Sequence, residues 1–321
     1  MLGSLQDAED ALQDALLRAW RALDSYDPSR PLRPWLYRIA TNVCLDAVAK
    51  RPRRALPTDD GAPTASDRTA GPPVLEPVWL EPMAEQHLAQ AIDEDAPDVR
   101  YEQRETLELA FLAALQHLPG NQRAALLLCE VLGFTASEAA RMLDTTPATI
   151  SSALQRARAT LDRRRPQLSQ RELLDELGDE AAARLVGAYV DALQHGDVER
   201  LAGLLAEDVT FSMPPFAAWW RGRPTVLAFI VAAAGDATRH FVPLRVNGQL
   251  AFAGYRLDAA VARFVPEVLE VLALDERRQV STITAFVDPA GPCEADLTEP
   301  TSTLAMLFPR LGLPPTVDHG A

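Results

Sequence analysis

Helical periodicity between residues 105 and 161 constrains the fold of this chain more than any other feature. Apolar residues recur at helical spacing over 105–118, 121–132, 136–143 and 148–161, and turn residues separate these runs. The last two predicted helices are joined by a tight turn and preceded by a packing helix, which is a helix-turn-helix arrangement. The sequence therefore predicts a small all-helical domain over residues 101–165 whose final helix fits the major groove of DNA.

That final helix offers hydrogen-bonding and basic side chains. Hydroxyl and amide side chains bond to base edges and phosphates, and arginine binds guanine or phosphate. We expect the DNA contacts of this unit to come from Thr146, Thr149, Ser151, Ser152, Gln155, Arg156 and Arg158.

The same stretch resembles region 4 of the sigma-70 family of transcription initiation factors. The family pattern of LP, RA, G-[FY]-[ST], E-x-A and S-x-L-x-R-A-R is matched by Leu118, Pro119, Arg123, Ala124, Gly133, Phe134, Thr135, Glu138, Ala140, Ser152, Leu154, Arg156, Ala157 and Arg158. The resemblance implies that this unit reads the minus-thirty-five promoter element and contacts the flap of the polymerase β subunit. The alternative is the helix-turn-helix of a conventional repressor or activator.

Residues 1–55 form a second helical unit. Ser4 and Asp7 fit a capping box, an apolar stripe that includes Leu12 and Leu16 predicts a helix to about residue 23, and another helix follows over 34–50. Residues 7–20 and 34–42 resemble sigma regions 2.2 and 2.3. One polar helix face suits a basic coiled coil such as the clamp helices of the β′ subunit. We expect the polymerase contact to use Asp10, Gln13, Asp14, Leu17 and Trp20.

The second helix of this unit combines aromatic surface with positive charge. That chemistry holds unstacked bases and their backbone, as a melted minus-ten element requires. The residues predicted on the minus-ten side are Arg33, Trp35, Tyr37, Arg38, Asn42, Arg51, Arg53 and Arg54. The alternatives are that Trp35 belongs to the core and that the basic run 50–54 is a solvated face.

Members of the family carry a further helix before the segment matched here. Residues 1–4 occupy the place of the turn that leads into region 2.2. Either the true start lies upstream of Met1, or residues 1–55 are a sigma region 2 that lacks its first helix, which would leave part of the apolar stripe without its packing partner.

Residues 56–100 are rich in Pro, Gly, Ala and Asp and show little periodicity, so they predict a linker without a core of its own. The phrase at 76–82 resembles a motif of sigma factors with a C-terminal extension. Trp79 within it is interpreted either as an anchor or as an exposed aromatic residue.

Residues 172–321 change to helices followed by strands rich in Val, Phe, Leu and Thr, which predicts an α+β unit. Residues 189–192, 196–198, 204–209, 213–215 and 219–222 resemble a SnoaL-like domain of the nuclear-transport-factor type. The resemblance implies a cone of helices and a curved antiparallel sheet, followed by a C-terminal tail. Candidate cavity residues are Phe211, Met213, Trp219, Trp220, Asn247 and Tyr255.

Composition limits the other function classes. The net charge of -14 argues against nonspecific coating of nucleic acid, although basic patches remain at 33–54 and 141–165. The three cysteines show no metal-ligand spacing and are expected to be reduced, so we expect neither a metal nor a cofactor. The absence of a long apolar run and of a signal peptide predicts a cytoplasmic protein without a membrane partner.

Together these features predict two all-α sigma domains followed by an α+β domain. The resemblance implies an alternative sigma factor of the extracytoplasmic-function type that binds core RNA polymerase and promoter DNA, is not an enzyme, and is modulated by its third unit, for which a small-molecule ligand is left open. The rivals are a conventional DNA-binding regulator and a SnoaL-like enzyme fused to a DNA-binding module. An enzyme would need an acid/base pair such as Asp191 with His195 or Tyr255, and a cavity with a desolvated carboxylate would favour it.

Overall fold

The structure is a computed structural model that describes residues 1–50, 53–59, 61–65, 70–74, 79–84, 108–163, 169–235, 237–288 and 303–318. Contacts among these residues divide the chain into two compact units. The first unit contains the described residues of 1–55, 80–82 and 92–167, and the second contains those of 56–79, 83–91 and 168–321.

The described part of the first unit is helical. Its helices are α1 (Leu5–Arg21), α2 (Leu32–Lys50), α3 (Leu109–Gln116), α4 (Gly120–Leu126), α5 (Ala136–Met142) and α6 (Pro147–Asp162), with a 3-10 turn at Leu23–Ser25 and a π-helical turn at Leu127–Val131. The predicted cap at Ser4 is confirmed, since its side chain accepts from the Asp7 main-chain N–H. A capping box at Thr135 and Glu138 starts α5.

The buried face of α1 differs from the predicted one. Ala11, Ala15 and Ala19 are buried, whereas Leu12 and Leu16 are more than half exposed. Alanines spaced four residues apart let two helix backbones approach closely, and α1 packs on α2 through this face. The leucine stripe was therefore assigned to the wrong side of the helix.

Helices α3 to α6 share a core, and α2 lies against it. The stripe Ile150, Ala153, Ala157 and Leu161 buries one face of α6. Helix α2 packs against α4 and α5, and the ring of Tyr37 meets that of Phe134 edge-on with centroids 5.3 Å apart.

The second unit is α+β, as predicted. Its helices are α7 (Gln170–Leu177), α8 (Asp179–His195), α9 (Val198–Leu204), α10 (Arg223–Ala234) and α11 (Thr303–Arg310). Its strands are β1 (Leu205–Ser212), β2 (Trp219–Arg221), β3 (Arg239–Val246), β4 (Gln249–Asp258), β5 (Arg263–Leu274), β6 (Val280–Val287) and β7 (Val317–Asp318), with a 3-10 turn at Pro57–Asp59.

These strands form one sheet in the order β2-β1-β6-β5-β4-β3, and β7 pairs with β5. The sheet is mixed rather than wholly antiparallel, because β1 and β6 run parallel. One face carries the main core, in which Tyr189 of α8 packs on Phe252 of β4 with ring centroids 5.5 Å apart. On the other face, Phe308 of α11 packs on Tyr255 at 5.1 Å, so the predicted C-terminal tail contains a packed helix.

Described pieces of the predicted linker are bonded to the second unit. Thr64 and Trp219 exchange two hydrogen bonds, with the Thr64 N–H donating to the Trp219 carbonyl at 2.6 Å and the Trp219 N–H donating to the Thr64 hydroxyl oxygen at 3.3 Å. The Val74 N–H donates to the Pro215 carbonyl at 2.9 Å. These pieces therefore extend the second unit.

Among the helices that the structure describes, none has the length and apolarity needed to cross a membrane.

Candidate functional site

The outer face of α6 presents the residues predicted to read DNA. Thr146 caps the helix by accepting from the Thr149 N–H at 3.2 Å, and Pro147 occupies the first turn. Since the stripe beginning at Ile150 is buried, the opposite face is left to solvent. All of the predicted residues are exposed: Thr146, Thr149, Ser151, Ser152, Gln155, Arg156 and Arg158.

Four of these side chains have partners within the unit, and the hydroxyl groups of Thr146 and Thr149 bond to each other at 2.9 Å. Ser151 donates to the Pro147 carbonyl at 3.0 Å, and Arg158 pairs with Glu130 at 2.6 Å. Gln155 and Arg156 stand between them on the exposed surface. The free end of an exposed arginine next to an amide side chain is the chemistry that reads base edges.

The outer face of α1 is apolar to an unusual degree for an exposed helix. Trp20 is 75% exposed, and Leu12, Leu16 and Leu17 are each more than half exposed. Asp14 pairs with Arg18 at 2.9 Å beside them, whereas Asp10 and Gln13 lie exposed on the same helix. Contiguous exposed apolar side chains mark an interaction surface.

The start of α2 is engaged within the first unit. Arg33 donates to the Leu132 carbonyl at 2.9 Å and lies over the Phe134 ring, with its guanidinium carbon 4.7 Å from the ring centroid. Arg38 donates to both carboxylate oxygens of Asp144, at 3.1 and 2.9 Å. Together with the Tyr37–Phe134 contact, these bonds hold the basic-aromatic segment against α5, the loop before it and the turn after it.

The other residues predicted on the minus-ten side are dispersed. Trp35 is half-buried against Tyr26, with centroids 4.9 Å apart, and Asn42 is exposed. Arg53 is exposed and contacts a ring nitrogen of His117. Arg51 lies outside the described residues.

Arg54 does not stand on an open surface. It is buried and pairs with Asp7 at 2.7 Å and with Glu81 at 3.2 Å. Buried charges are retained where they are paired and hydrogen-bonded, so Arg54 closes the region between α1 and α2 instead of facing DNA.

The second unit contains a cavity of about 320 Å³ lined by α8, β1, α10, β3, β5 and β6. Of the predicted cavity residues, Phe211 and Met213 line it. Trp220 is fully buried and stacks on Phe229 at 3.9 Å, so it lies in the core behind the lining. Trp219 bonds to Thr64, and its side chain is buried.

The remaining two predicted cavity residues lie elsewhere because strand register places them there. Asn247 sits in the turn between β3 and β4, where its side-chain carbonyl accepts from the Met83 N–H at 2.8 Å. Tyr255 points to the opposite face of the sheet and donates to the Pro314 carbonyl at 2.9 Å. Burial raises the pKa of Tyr255 to about 12.

The acid/base pair considered for an enzyme lies outside the cavity. His195 and Asp191 form an exposed pair one turn apart on α8, at 3.1 Å, and Asp191 also contacts Arg200. The charged side chains that line the cavity are Arg239, Glu267 and Glu270. Tyr189 donates to Glu270 at 3.3 Å.

Three family descriptions match the chain, two of them in the first unit and one in the second. The description "Sigma-70 region 2" covers residues 1–54, "Sigma-70, region 4" covers 108–161, and "SnoaL-like domain" covers 186–290. The ECF RNA polymerase sigma factor SigG of Mycobacterium tuberculosis is 37% identical over 318 residues, which is 98% of this chain and 79% of SigG. The chain belongs to the ECF family of RNA polymerase sigma factors.

Two further similarities agree with this membership. The ECF RNA polymerase sigma factor SigM of M. tuberculosis is 33% identical over 159 residues, covering 49% of this chain and 64% of SigM. The crystal structure of the M. tuberculosis extracytoplasmic function sigma factor SigJ is similar in fold, with a TM-score of 0.56 at 20% identity, covering 91% of this chain and 93% of SigJ. The predicted family and fold class are thereby confirmed.

Two sets of residues in this sigma factor were not predicted from the sequence: the carboxylates that line the cavity, and the partners of Arg33 and Arg38. Glu267 and Glu270 interrupt the part of β5 that is otherwise apolar from Phe264 onward, and two carboxylates in such a run are a signal of a functional cavity. The partners of Arg33 and Arg38 could not be read from spacing, because they lie about a hundred residues away along the chain.

Proposed function

We propose that this sigma factor binds core RNA polymerase through the exposed face of α1 and reads promoter DNA through α2 and α6. The exposed polar face of α6 is the observation that carries the DNA-reading part. Its Gln155 and Arg156 are available to base edges, while the opposite stripe is fixed in the core. This face would read the minus-thirty-five element.

The polymerase contact is assigned to α1 because its outer face is both apolar and acidic. Trp20 and Leu17 supply buried area in a complex, and Asp10 and Asp14 supply charge opposite to that of a basic coiled coil. The clamp helices of β′ are the proposed partner. The β flap is proposed as the contact of the region 4 unit.

The minus-ten side is assigned to Arg33, Trp35, Tyr37, Arg38, Asn42 and Arg53, and Arg51 stays in this set as a sequence prediction. The side chains of Arg33 and Arg38 are already hydrogen-bonded to Leu132 and Asp144, which lie in the segment that matches region 4. A side chain that holds Asp144 does not at the same time hold a phosphate. We infer that α2 and α5 separate when the promoter is engaged.

The second unit is proposed to modulate this activity rather than to catalyse a reaction. A cavity with a buried carboxylate is the feature that favours an enzyme, and Glu270 supplies it. However, the Asp191–His195 pair is exposed on α8 and is not among the residues that line the cavity, and SigG, which aligns over nearly the whole chain, is a sigma factor. A ligand-responsive regulator fits both observations.

Band-shift experiments with duplex promoter fragments distinguish the sigma factor from a conventional regulator. We expect a sequence-specific shift only when core polymerase and the full chain are both present. A specific shift by the full chain alone would favour the regulator. Core polymerase alone and the chain alone serve as the controls.

A further inference from the structure

The cavity of the second unit is built like a small-molecule site. Its volume of about 320 Å³ falls within the range of ligand pockets, roughly 300–1,000 Å³. Phenyl rings and aliphatic side chains dominate its lining, including Phe211, Phe229, Phe241 and Val268. An apolar cavity with a few convergent polar groups is the usual form of a ligand site.

Two of its three charged side chains neutralise each other. Arg239 of β3 donates to both carboxylate oxygens of Glu267 of β5, at 2.6 and 3.0 Å. Glu267 is available for this pairing because a bulge in the β4–β5 register leaves it without a partner residue on β4. The ion pair therefore contributes little net charge to the cavity.

Glu270 is the remaining charged group in the lining. Among the described residues, the hydroxyl of Tyr189 on α8 bonds to it at 3.3 Å, and Glu267 on its own strand adds a repulsive charge. Arg239 on β3 also lines the cavity but is held by Glu267. One carboxyl oxygen of Glu270 is thus bonded to Tyr189, and the other is left for a ligand.

Gly254 of β4 keeps this space open. A Cβ at this position would stand 2.7 Å from Val268 Cγ1 and 3.0 Å from Phe241 Cε1, both in the cavity lining. A side chain at residue 254 would therefore displace the walls. Glycine ordinarily weakens the interior of a strand, and its presence here fits a position where the side chains of the cavity wall approach the backbone closely.

We propose that this cavity binds a neutral, largely apolar cyclic molecule whose carbonyl oxygen accepts a hydrogen bond from the carboxyl group of Glu270. The phenyl rings and Val268 bury the ring skeleton, and the Glu270 carboxyl fixes its orientation. The site deepens the modulation proposed for the second unit, and its occupancy is the signal that this unit would pass on.

The choice of a carbonyl follows from the protonation state of Glu270. Burial, followed by the charge of Glu267, raises its pKa to about 7, and the bond from Tyr189 opposes that rise. A ligand that displaces water from the cavity favours the neutral carboxyl group still further. A protonated carboxyl group donates to a carbonyl oxygen, which the ionised form cannot do, whereas a hydroxyl ligand can donate to either form.

Three probes with one ring skeleton test the proposal on the full chain: 1-tetralone, 1-tetralol and the hydrocarbon tetralin. Dissociation constants are measured by calorimetry at pH 6 and pH 8 without polymerase, so failure here is distinct from failure of promoter recognition. We expect tetralone to bind most tightly at pH 6. Its binding should weaken about tenfold at pH 8, as the protonated fraction of a group with pKa near 7 falls.

Two variants locate the effect. Glu270→Gln keeps a donor and stays neutral, so tetralone binding should persist and lose its pH dependence. Glu270→Leu removes the donor, so tetralone and tetralin should bind equally. Glu276→Gln, in the exposed turn between β5 and β6, is the matched control and should behave as the unaltered chain.

Results with the unaltered chain alone are sufficient to overturn the proposal. Equal affinity for tetralone and tetralin, binding of tetralone that does not weaken as pH rises, or no binding of any probe up to its solubility limit would each do so. An unchanged pH dependence in a folded Glu270→Gln variant would also overturn it.

Discussion

The guanidinium group of Arg38 on α2 donates to both carboxylate oxygens of Asp144, the residue that precedes the recognition helix α6 by one short turn. Asp144 adopts a left-handed backbone conformation with φ of 48°. Asparagine tolerates that conformation and has no charge, so Asp144→Asn breaks the ion pair without straining the turn.

Asp144→Asn should increase the affinity of the full chain for DNA, because it releases a basic side chain proposed to contact the minus-ten strand. Stability should change by no more than about 1 kcal/mol, since the pair is exposed to solvent. Fluorescence anisotropy with a labelled single-stranded oligonucleotide measures the affinity. Asp24→Asn, an exposed carboxylate in the same unit, controls for the change in net charge. Equal effects of the two variants would refute the competition.

Arg38→Ala provides the complementary test. If Arg38 binds phosphate, its loss should weaken DNA binding and lower the slope of log affinity against log salt by about 1. The slope is measured from the same oligonucleotide titrated at several salt concentrations. An unchanged slope would remove Arg38 from the DNA interface.

Substitutions on α6 test the minus-thirty-five assignment. Gln155→Ala and Arg156→Ala should each weaken binding of the polymerase holoenzyme to its promoter by about 1–3 kcal/mol if the side chain reads a base edge. Band shifts on promoter and scrambled duplexes separate base reading from phosphate binding, which weakens both equally. Arg184→Ala, an exposed arginine on α8, is the control, and the assignment fails if it matches the α6 variants.

Substitutions on α1 test the polymerase contact. Trp20→Ser should weaken association with core polymerase and leave the thermal stability nearly unchanged, because the ring is 75% exposed. Asp10→Lys should act in the same direction by placing a like charge opposite a basic partner. Co-elution with core polymerase is the measurement. Val231→Ser, an exposed apolar position on α10, is the control, and wild-type co-elution of both α1 variants would exclude this face.

Glu270 predicts a pH dependence of stability. Its pKa is raised from 4.5 to about 7 in the folded chain, so the folded state retains a proton that the unfolded state loses between those values. Stability from this group is therefore present below pH 4.5 and falls as pH rises to 7, by on the order of 3 kcal/mol. Glu270→Gln should flatten this difference in unfolding measurements across pH 4 to 8. The same slope in the variant would mean that Glu270 is not the titrating group.

The exposed polar face of α6 was predictable from sequence because two independent features agree there. Thr146 and Pro147 signal a helix start, and the buried spacing from Ile150 leaves only one face for the polar residues.

Helix α1 was harder to predict, since leucines ordinarily mark the core. Here the close approach of α1 to α2 uses the alanines at 11, 15 and 19 and leaves the leucines outside.

The cavity was only partly predictable for a different reason. Phe211 lies near the end of β1 and Met213 directly follows the strand, which the resemblance located. Tyr255 was assigned to the wrong face because side chains alternate along a strand, and a bulge next to it shifts the β4–β5 register. The ion pair between Arg239 and Glu267 depends on that register, so the local spacing of residues in the sequence does not predict it.

Run-off transcription tests the central claim most directly. The template is a library of fragments with randomised minus-thirty-five and minus-ten blocks, transcribed by core polymerase with the full chain, with Arg156→Ala or with Arg184→Ala. We predict that the full chain and Arg184→Ala select one common pair of blocks and that Arg156→Ala relaxes selection in the minus-thirty-five block alone. Transcription that selects no common blocks, or that does not depend on the chain, would contradict its assignment as a promoter-reading sigma factor.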